Sequence, residues 1–250
     1  VPTYYVRLLS DSSLTKDSCR QIRIFISGSA PLLKRTCLDF KKKTGHEIVE
    51  RYGMTETGMN TSNPLWGQRK LGSVGIALEG IQIRARNESG YIAAATEAGE
   101  IEVKGQNVFA GYWKREEYKS RDFTGDGFFR TGDLGYIDRE GYLFLIGRKK
   151  DIIISGGLNV FPREIELIID SFPEVKESAV VGLPHSDFGE QVVAVIVLEK
   201  NAQLDEVTVI NKMKSKLASF KIPKGVFFHD ELPRNAMGKV QKNILRKILS

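Results

Sequence analysis

Hydrophobic and polar positions along the first seventy residues follow a strand–helix–strand order. Residues 22–27 (IRIFIS) form a short apolar run that breaks at a turn with glycine and proline, which is typical of a buried strand. Residues 32–45 have helical apolar spacing and end in a glycine, and residues 47–53 (EIVERYG) form a second strand pattern. We therefore predict part of an α/β sheet over residues 1–71, with ligand loops at the carboxyl ends of its strands.

The pattern changes twice further along the chain. From residue 72 onwards, short strand-like runs such as GIQIRAR, GEIEVKG and GYLFLIGR are separated by glycine turns. This pattern predicts a β-rich subdomain over residues 72–148. Strands then alternate with amphipathic helices, which predicts a compact α+β domain over residues 149–250. The lysine-rich segment GRKKD at 147–151 marks the boundary between the two parts.

Composition restricts the class of protein. Hydrophobic residues make up 41% and charged residues 27% of the 250 residues, as in ordinary soluble globular proteins. No apolar run approaches the roughly 20 residues of a membrane span. The two cysteines form no CxxC pair and the three histidines lie far apart, so the pattern favours neither a disulfide scaffold nor a zinc site. We expect a reducing compartment: the cytoplasm, or the mitochondrial matrix if the source is eukaryotic.

The net charge of +6 is concentrated at the C-terminal end. The last fifty residues contain ten Lys or Arg and four Asp or Glu, which by themselves give +6. Such an excess suits a nucleic-acid patch, a site for a polyanionic small molecule, or a solvated helix face.

Two loops contain residues suited to binding a nucleotide. In RYGMTETG (51–58), the Thr55 hydroxyl and backbone N–H groups can hold a phosphate, and the Glu56 carboxylate can hold Mg²⁺. In FFRTGDLG, we place Asp133 on a turn, where its carboxylate can accept hydrogen bonds from both ribose hydroxyls. Arg148 in GRKKD adds a second ribose or phosphate contact. Ordinary turn formers and a basic surface turn are the structural alternatives.

Two further segments carry candidate chemistry in the C-terminal part. Gly156 and Gly157 precede a predicted helix, where they would let a ligand chain approach the backbone or would simply form a helix-entry turn. Lys239 follows Gly238 on a short polar loop near the C-terminus. It is either a solvated surface lysine or a catalytic cation on a mobile domain.

The motifs occur in a specific order: SGSAP, YGMTETG, TGDLG, GRKKDIIISGGLNVFPREIE and PRNAMGKVQK. This ordered set resembles the adenylate-forming superfamily of acyl-CoA synthetases, peptide-synthetase adenylation domains and beetle luciferases, over essentially the whole chain. Within it, VPTYYVRLL, ERYGMTETGMNTSNP, LPHSDFGEQV and LPRNAMGKVQKN look most like malonyl-CoA synthetases. The implied fold is α/β: the C-terminal part of the large domain followed by a small mobile α+β domain.

The resemblance implies ATP, Mg²⁺ and coenzyme A as cofactors, and a malonyl-adenylate intermediate. It assigns Lys239, Thr55 and Glu56 to catalysis, with Glu56 also the metal ligand, and Lys150 to the hinge. The expected nucleotide and CoA contacts are Gly28, Ser29, Ala30, Tyr52, Gly53, Met54, Asp133, Arg148, Gly156 and Gly157. Malonate carries a second carboxylate, for which we predict Arg7 on the helix-like TYYVRLL, with Ser27 or Ser29 as hydroxyl donor and Met59 closing the pocket.

One family feature is absent. The glycine- and threonine-rich phosphate loop should lie upstream of residue 22, and the chain does not begin with Met. We therefore expect the C-terminal portion of a longer enzyme, catalytically incomplete by itself. The alternatives are a synthetase for another small, fatty or aromatic acid, and a short form that only binds nucleotide or CoA. We expect small-molecule partners, no nucleic acid and no membrane span.

Overall fold

The computed structural model describes residues 1–115, 117, 119–236 and 238–249. The chain forms two compact units, Val1–Lys149 and Lys150–Ser250. The division lies one residue after the domain boundary expected from the sequence.

The first unit contains two four-stranded sheets. The first has the order β1-β2-β3-β4, with β1 and β2 parallel and the other pairs antiparallel; the second is an antiparallel meander in the order β5-β6-β7-β8. The elements are α1 (Pro2–Ser10), β1 (Phe25–Ser27), α2 (Lys34–Thr44), β2 (Ile48–Met54), β3 (Gly58–Ser62), β4 (Ile76–Ala77), β5 (Gln82–Arg86), β6 (Gly99–Lys104), α3 (Lys119–Asp122), β7 (Phe129–Ile137) and β8 (Leu143–Arg148).

Each sheet of the first unit has its own core. Phe40 of α2 is fully buried and contacts Phe25 and Tyr5 edge to face. The helix ends at Gly45, which has a left-handed backbone (φ 78°) that favours glycine. In the second sheet, Ile101 and its neighbours form a separate apolar cluster. The mixed α/β class and the β-rich character of 72–148 are confirmed.

The second unit is built on one five-stranded sheet. Its order is β10-β9-β12-β11, and β13 pairs with β12 in parallel. The elements are a 3₁₀ turn (Lys149–Asp151, which begins one residue before the unit), β9 (Ile153–Ser155), β10 (Leu158–Val160), α4 (Pro162–Ile169), β11 (Val175–His185), β12 (Gly189–Leu198), α5 (Glu206–Lys214), a second 3₁₀ turn (Ser219–Lys221), β13 (Gly225–Phe228) and α6 (Lys242–Leu249).

The unbroken apolar run VVAVIV (192–197) lies in strand β12, which is buried on both faces. Alternate residues point to opposite faces of a strand. Val192, Ala194 and Ile196 belong to the core that includes residues of α4 and α5, whereas Val193, Val195 and Val197 belong to a second core with Leu245 of α6. Both faces of the strand are therefore covered, and polar alternation is not needed.

Two predicted strands are shorter in the structure than in the prediction, and one strand was not predicted. β1 begins only at Phe25, because Ile22 is exposed and lies outside the sheet. The run GVFFHDEL predicts a strand to residue 232, but β13 ends at Phe228, where the chain turns polar. β3 was not predicted, because GMNTS has no apolar alternation. No helix in the described part of the chain is both long and apolar enough to cross a membrane.

Candidate active site

Asp133, Arg148 and Tyr52 meet in the first unit. Asp133 lies in the middle of β7, directly opposite Arg148 at the end of β8. The Arg148 Nε lies 2.9 Å from Asp133 Oδ1, and the Tyr52 hydroxyl donates to Asp133 Oδ2 at 2.5 Å. The placement of Asp133 on a turn was therefore wrong: the glycines on either side of it belong to a bulged strand, and Gly132 has φ 71° within β7.

The Asp133 carboxylate is buried from solvent. Asp133 is 5% exposed and Tyr52 is 7% exposed, with the tyrosine ring packed in the apolar cluster of the second sheet. Burial raises the pKa of Tyr52 far above its ordinary value, and the negative charge of Asp133 adds to the effect. Tyr52 therefore stays a neutral hydrogen-bond donor. The Arg148 side chain is 46% exposed, so its guanidinium group can contact a ligand from the solvent side.

The turn between β2 and β3 presents Thr55 and Glu56. Thr55 is exposed and Glu56 is half-buried. Gly53 is required just before this turn, because an added Cβ would lie 2.0 Å from the carbonyl oxygen of Gly58. Met54 is the last residue of β2, and its carbonyl accepts from the N–H of Thr57 at 3.2 Å. The chain thus forms a tight hairpin that holds two oxygen-bearing side chains at its end.

Glu56 fits a magnesium ligand by its chemistry. Its Oε1 accepts from the Tyr112 hydroxyl at 2.8 Å, and no described residue forms a salt bridge with the carboxylate. The described residues contain no group of three or more His, Cys, Asp or Glu side chains that could hold a metal. Mg²⁺ commonly keeps several waters and uses one or two carboxylates together with substrate phosphates, so a single carboxylate of this kind is compatible with it.

Residues 28–30 follow the carboxyl end of β1. Gly28 packs closely on β2, since an added Cβ would lie 3.2 Å from the carbonyl oxygen of Arg51. Ser29 has φ 69°, an uncommon conformation for a residue other than glycine. Ala30 follows it in the same irregular turn. Ser27, the last residue of β1, is 2% exposed, and its hydroxyl has no hydrogen-bond partner among the described residues.

Arg7 lies in the last turn of α1, and its side chain is exposed. The Tyr5 hydroxyl donates to the carbonyl oxygen of Ile26 at 2.7 Å and so fixes α1 to the end of β1. Met59 is 38% exposed at the start of β3. Within the described chain, no hydrogen bond or ion pair joins Arg7 to Ser27 or Met59, so the structure does not bring these three together by direct polar contact.

In the second unit, Gly156 and Gly157 form the turn of the β9–β10 hairpin. Both have positive φ (59° and 78°), as a two-residue hairpin turn requires. The alternative reading, a helix-entry turn, is wrong, because β10 separates the pair from α4. The Gly156 N–H donates to the Phe188 carbonyl at 2.9 Å, and an added Cβ at Gly157 would meet no atom within 4 Å. The turn therefore offers an open stretch of backbone.

Lys239 lies on a tight loop before α6. Its backbone N–H donates to the Asn235 side chain at 3.0 Å, and its carbonyl accepts from the Asn235 N–H at 3.0 Å. The side chain is half-buried, and no ion pair of its ammonium group occurs among the described residues. Arg234, which begins this loop, pairs with Glu177 of β11. The loop is thus anchored by its neighbours, and the described residues provide no counter-ion for the Lys239 ammonium group.

Lys150 is exposed and lies within the 3₁₀ turn Lys149–Asp151. It is the first residue of the second unit, which is the position that the hinge prediction requires.

Two known sequence families match parts of this chain. The family described as AMP-binding enzyme matches residues 1–113, and the AMP-binding enzyme C-terminal domain matches residues 164–239. Together the two matches cover about three quarters of the chain, and they include the YGMTETG turn and Lys239.

The chain belongs to the adenylate-forming superfamily of AMP-binding enzymes.

Individual relatives place this AMP-binding chain near the malonyl-CoA synthetases. It is 38% identical to the malonate–CoA ligase of Arabidopsis thaliana, covering 100% of this chain and 44% of that protein. A long-chain-fatty-acid–CoA ligase of Bacillus subtilis is 39% identical, covering 98% and 44%. The crystal structure of ATP-bound MatB from Rhodopseudomonas palustris matches with a TM-score of 0.96 and 54% identity, covering 99% of this chain and 49% of that one. The chain therefore spans about half the length of these relatives.

Some residues of this AMP-binding chain that surround the candidate site were missed from the sequence. Tyr112 contacts Glu56, and Thr131 accepts from the Asp133 N–H at 3.1 Å. Thr131 is two residues before Asp133 in the TGD motif, so the sequence could have indicated that it lies close to Asp133. Tyr112 and Glu56 are 56 residues apart, and no local pattern connects them.

Proposed function

We propose that the full-length protein is an AMP-forming acid–thiol ligase that converts malonate, ATP and CoA to malonyl-CoA, AMP and diphosphate. The observation that carries this proposal is the buried carboxylate of Asp133, held by Arg148 and Tyr52, in a chain of the adenylate-forming superfamily. The name of the Arabidopsis relative, malonate–CoA ligase, supports the choice of acid.

The nucleotide would be bound by the first unit. The Asp133 carboxylate has spare lone pairs for the two ribose hydroxyls, since an ionised carboxylate can accept about four hydrogen bonds. Arg148 adds a cation beside it. The turn Gly28–Ser29–Ala30 would line the adenine, and Gly53 and Met54 would bring the backbone of the hairpin close to the nucleotide. Thr55 would donate its hydroxyl to a phosphate oxygen.

Mg²⁺ would be held by Glu56 together with ATP phosphates. When bound, the ion neutralises the negative charge of the departing diphosphate. The chain's own residues would orient the nucleotide.

Lys239 would act in the first half-reaction. An oxygen of the malonate carboxylate forms a bond to the α-phosphorus, and the bond from the α-phosphorus to the diphosphate breaks, giving malonyl-adenylate. Negative charge spreads over the phosphate oxygens in this step, so a positioned ammonium group stabilises it. The absence of an ion pair for Lys239 among the described residues suits this role.

The second half-reaction needs a different set of groups. The CoA sulfur forms a bond to the acyl carbon, and the bond from that carbon to AMP breaks. The pantetheine arm is narrow and has amide groups, so an open hairpin turn without side chains, as at Gly156 and Gly157, suits its approach. Rotation at Lys150 would allow the small unit to serve both steps.

The far carboxylate of malonate requires a partner, because burying it unpaired is costly. We propose the exposed guanidinium of Arg7, with Ser27 or Ser29 as a hydroxyl donor and Met59 limiting chain length. The Ser27 hydroxyl supports this, since it is buried without a described partner. A cytoplasmic location remains a prediction.

A second candidate acid is a longer monocarboxylate. The observation that favours it is the fatty-acid ligase of Bacillus subtilis, which is as similar to this chain as the malonate ligase is.

The test compares kcat/KM for malonate, methylmalonate, acetate and butyrate in the full-length enzyme and its Arg7→Leu variant. We expect malonate to be preferred by the wild type and to fall about 100-fold in the variant, which matches the loss of a buried charged hydrogen bond of roughly 2–5 kcal/mol. Monocarboxylates should hold or rise. A wild type that prefers butyrate would contradict the malonate assignment, and unchanged malonate preference in the variant would exclude Arg7.

A further inference from the structure

A loop of the first unit, residues 105–113, supports the backbone of the candidate phosphate and metal turn. The Asn107 side-chain amide donates to the Thr57 carbonyl at 2.6 Å, and the Phe109 N–H donates to the Glu56 carbonyl at 2.8 Å. The turn therefore does not stand alone at the end of the β2–β3 hairpin. Its backbone has two supports from a segment about fifty residues further along the chain.

The same loop also contacts the side chain of Glu56, the candidate metal ligand. The Tyr112 hydroxyl donates to Glu56 Oε1 at 2.8 Å. For the other carboxylate oxygen, Oε2, the described residues provide no hydrogen bond. One oxygen is thus occupied by a neutral donor and the other is left for a ligand.

Tyr112 is itself oriented by an aromatic chain. Its ring meets Phe109 edge to face, with centroids 4.9 Å apart, and Phe109 meets Phe129 in the same way at 5.2 Å. Phe129 is the first residue of β7, the strand that also carries Asp133. The position of the Glu56 carboxylate is therefore linked by packed rings to the strand that carries the candidate ribose ligand.

We propose that Tyr112 is a positioning residue that fixes the Glu56 carboxylate so that its free oxygen faces the magnesium ion of bound ATP. This inference rests on the proposed function, in which Glu56 is the metal ligand. A glutamate on an exposed turn has several rotamers, and fixing one of them costs side-chain entropy at the moment of binding. A hydrogen bond from a packed phenol removes that cost in advance, as outer partners of metal ligands commonly do.

The test uses Tyr112→Phe in the full-length enzyme, which removes one oxygen and keeps the ring against Phe109. Binding of ATP is measured by calorimetry as Mg²⁺ is titrated, and again in EDTA without the metal. We expect the Mg²⁺ concentration for half-maximal ATP binding to rise about tenfold, in the range that loss of an outer partner produces. ATP affinity in EDTA should be unchanged. Tyr91→Phe is the matched control, since Tyr91 is 73% exposed, and it should change neither value.

Glu56→Gln separates this inference from the proposed function. If Glu56→Gln raises the Mg²⁺ requirement but Tyr112→Phe stays within about twofold of the wild type, the positioning role is overturned and the proposed function stands. If Glu56→Gln has no effect, the metal role in the proposed function fails. A Tyr112→Phe variant that loses ATP affinity equally with and without Mg²⁺ would show a general structural role and would also overturn the inference.

Discussion

At the scale of single residues, buried carboxylates have two different surroundings in this chain. Asp133 has a close cation and a phenol donor, Arg148 and Tyr52. Asp170, which ends α4, is 9% exposed and accepts from the Ser178 hydroxyl at 2.7 Å, while Arg163 stays 3.7 Å away. Burial raises the pKa of Asp170 from 3.8 to about 7, against the opposite effects of that hydrogen bond and Arg163.

The pKa of Asp170 predicts a pH-dependent stability. Because the folded state binds the proton more tightly than the unfolded state, stability falls as pH rises from about 4 to about 7 and then levels off. Asp170→Asn removes this dependence and still accepts from Ser178. We expect the stability of the variant relative to the wild type to increase by about 2–3 kcal/mol between pH 5 and pH 8.

This difference in stability is measured by urea titration of the full-length protein. Pulse hydrogen-exchange labelling of α4 identifies the unfolding transition of the part that contains Asp170. Glu166, Glu177 and Arg163 also face Asp170, so Asp170→Asn must be compared with the wild type at every pH. A difference that is constant from pH 5 to pH 8 would show that Asp170 is ionised in the folded state throughout.

Local sequence predicted several candidate site residues but gave the wrong secondary structure for some of them. The TGD motif was read as a turn because its glycines are typical of turns, yet Gly132 with φ 71° lies inside β7. The pairing of β7 with β6 and β8, which places Asp133 opposite Arg148, defines the strand. Tyr112 shows the same limit more strongly: its contact with Glu56 depends on tertiary packing, which has no local signal.

At the scale of elements, the β2–β3 hairpin depends on a glycine just before its turn. Its turn carries Thr55 and Glu56, and its strands bend at a register shift between Tyr52 and Gly53. The close approach of Gly58 to Gly53 leaves no space for a side chain. The alternation of apolar and polar residues predicted β2, but it could not reveal β3, whose residues are mostly polar.

Gly53→Ala should therefore open the hairpin. The added Cβ meets backbone rather than a movable side chain, so we expect a local destabilisation of about 2 kcal/mol or more. Hydrogen exchange of peptides covering residues 48–62 in the full-length protein measures it. Gly125→Ala is the control, because an added Cβ there meets no atom within 4 Å. Equal exchange rates in the two variants would show that the hairpin accommodates the methyl group.

At the scale of the whole molecule, the chain consists of two units, and each contains its own candidate residues. The nucleotide and metal candidates, Asp133 and Glu56 among them, lie in the first unit, whereas Lys239 and the glycine hairpin lie in the second. The composition and order of motifs were sufficient to predict the α/β class and the family. The acid substrate is harder to predict from this sequence. The chain spans about half the length of its relatives (44% of the Arabidopsis enzyme), so residues outside it can also contact the acid.

Lys150→Pro tests the hinge in the full-length enzyme. Proline fixes φ near −65° and removes the backbone N–H, so it should favour one arrangement of the units. We expect one half-reaction to slow at least tenfold more than the other, with Lys150→Ala as the control for loss of the charge. The two rates are measured separately, as diphosphate release and as thioester formation from synthetic malonyl-adenylate. Equal rates in the proline variant and the alanine control would remove Lys150 from the mechanism.

In the proposed mechanism, malonate is activated as an adenylate with the help of Lys239. The most direct measurement is malonate-dependent exchange of labelled diphosphate into ATP by the full-length enzyme without CoA, in the wild type and in Lys239→Ala. We expect exchange in the wild type and a fall of roughly 1,000-fold in the variant, about 4 kcal/mol of transition-state stabilisation, while thioester formation from synthetic malonyl-adenylate largely survives. Absence of exchange in the wild type, or equal loss of both half-reactions in Lys239→Ala, would contradict it.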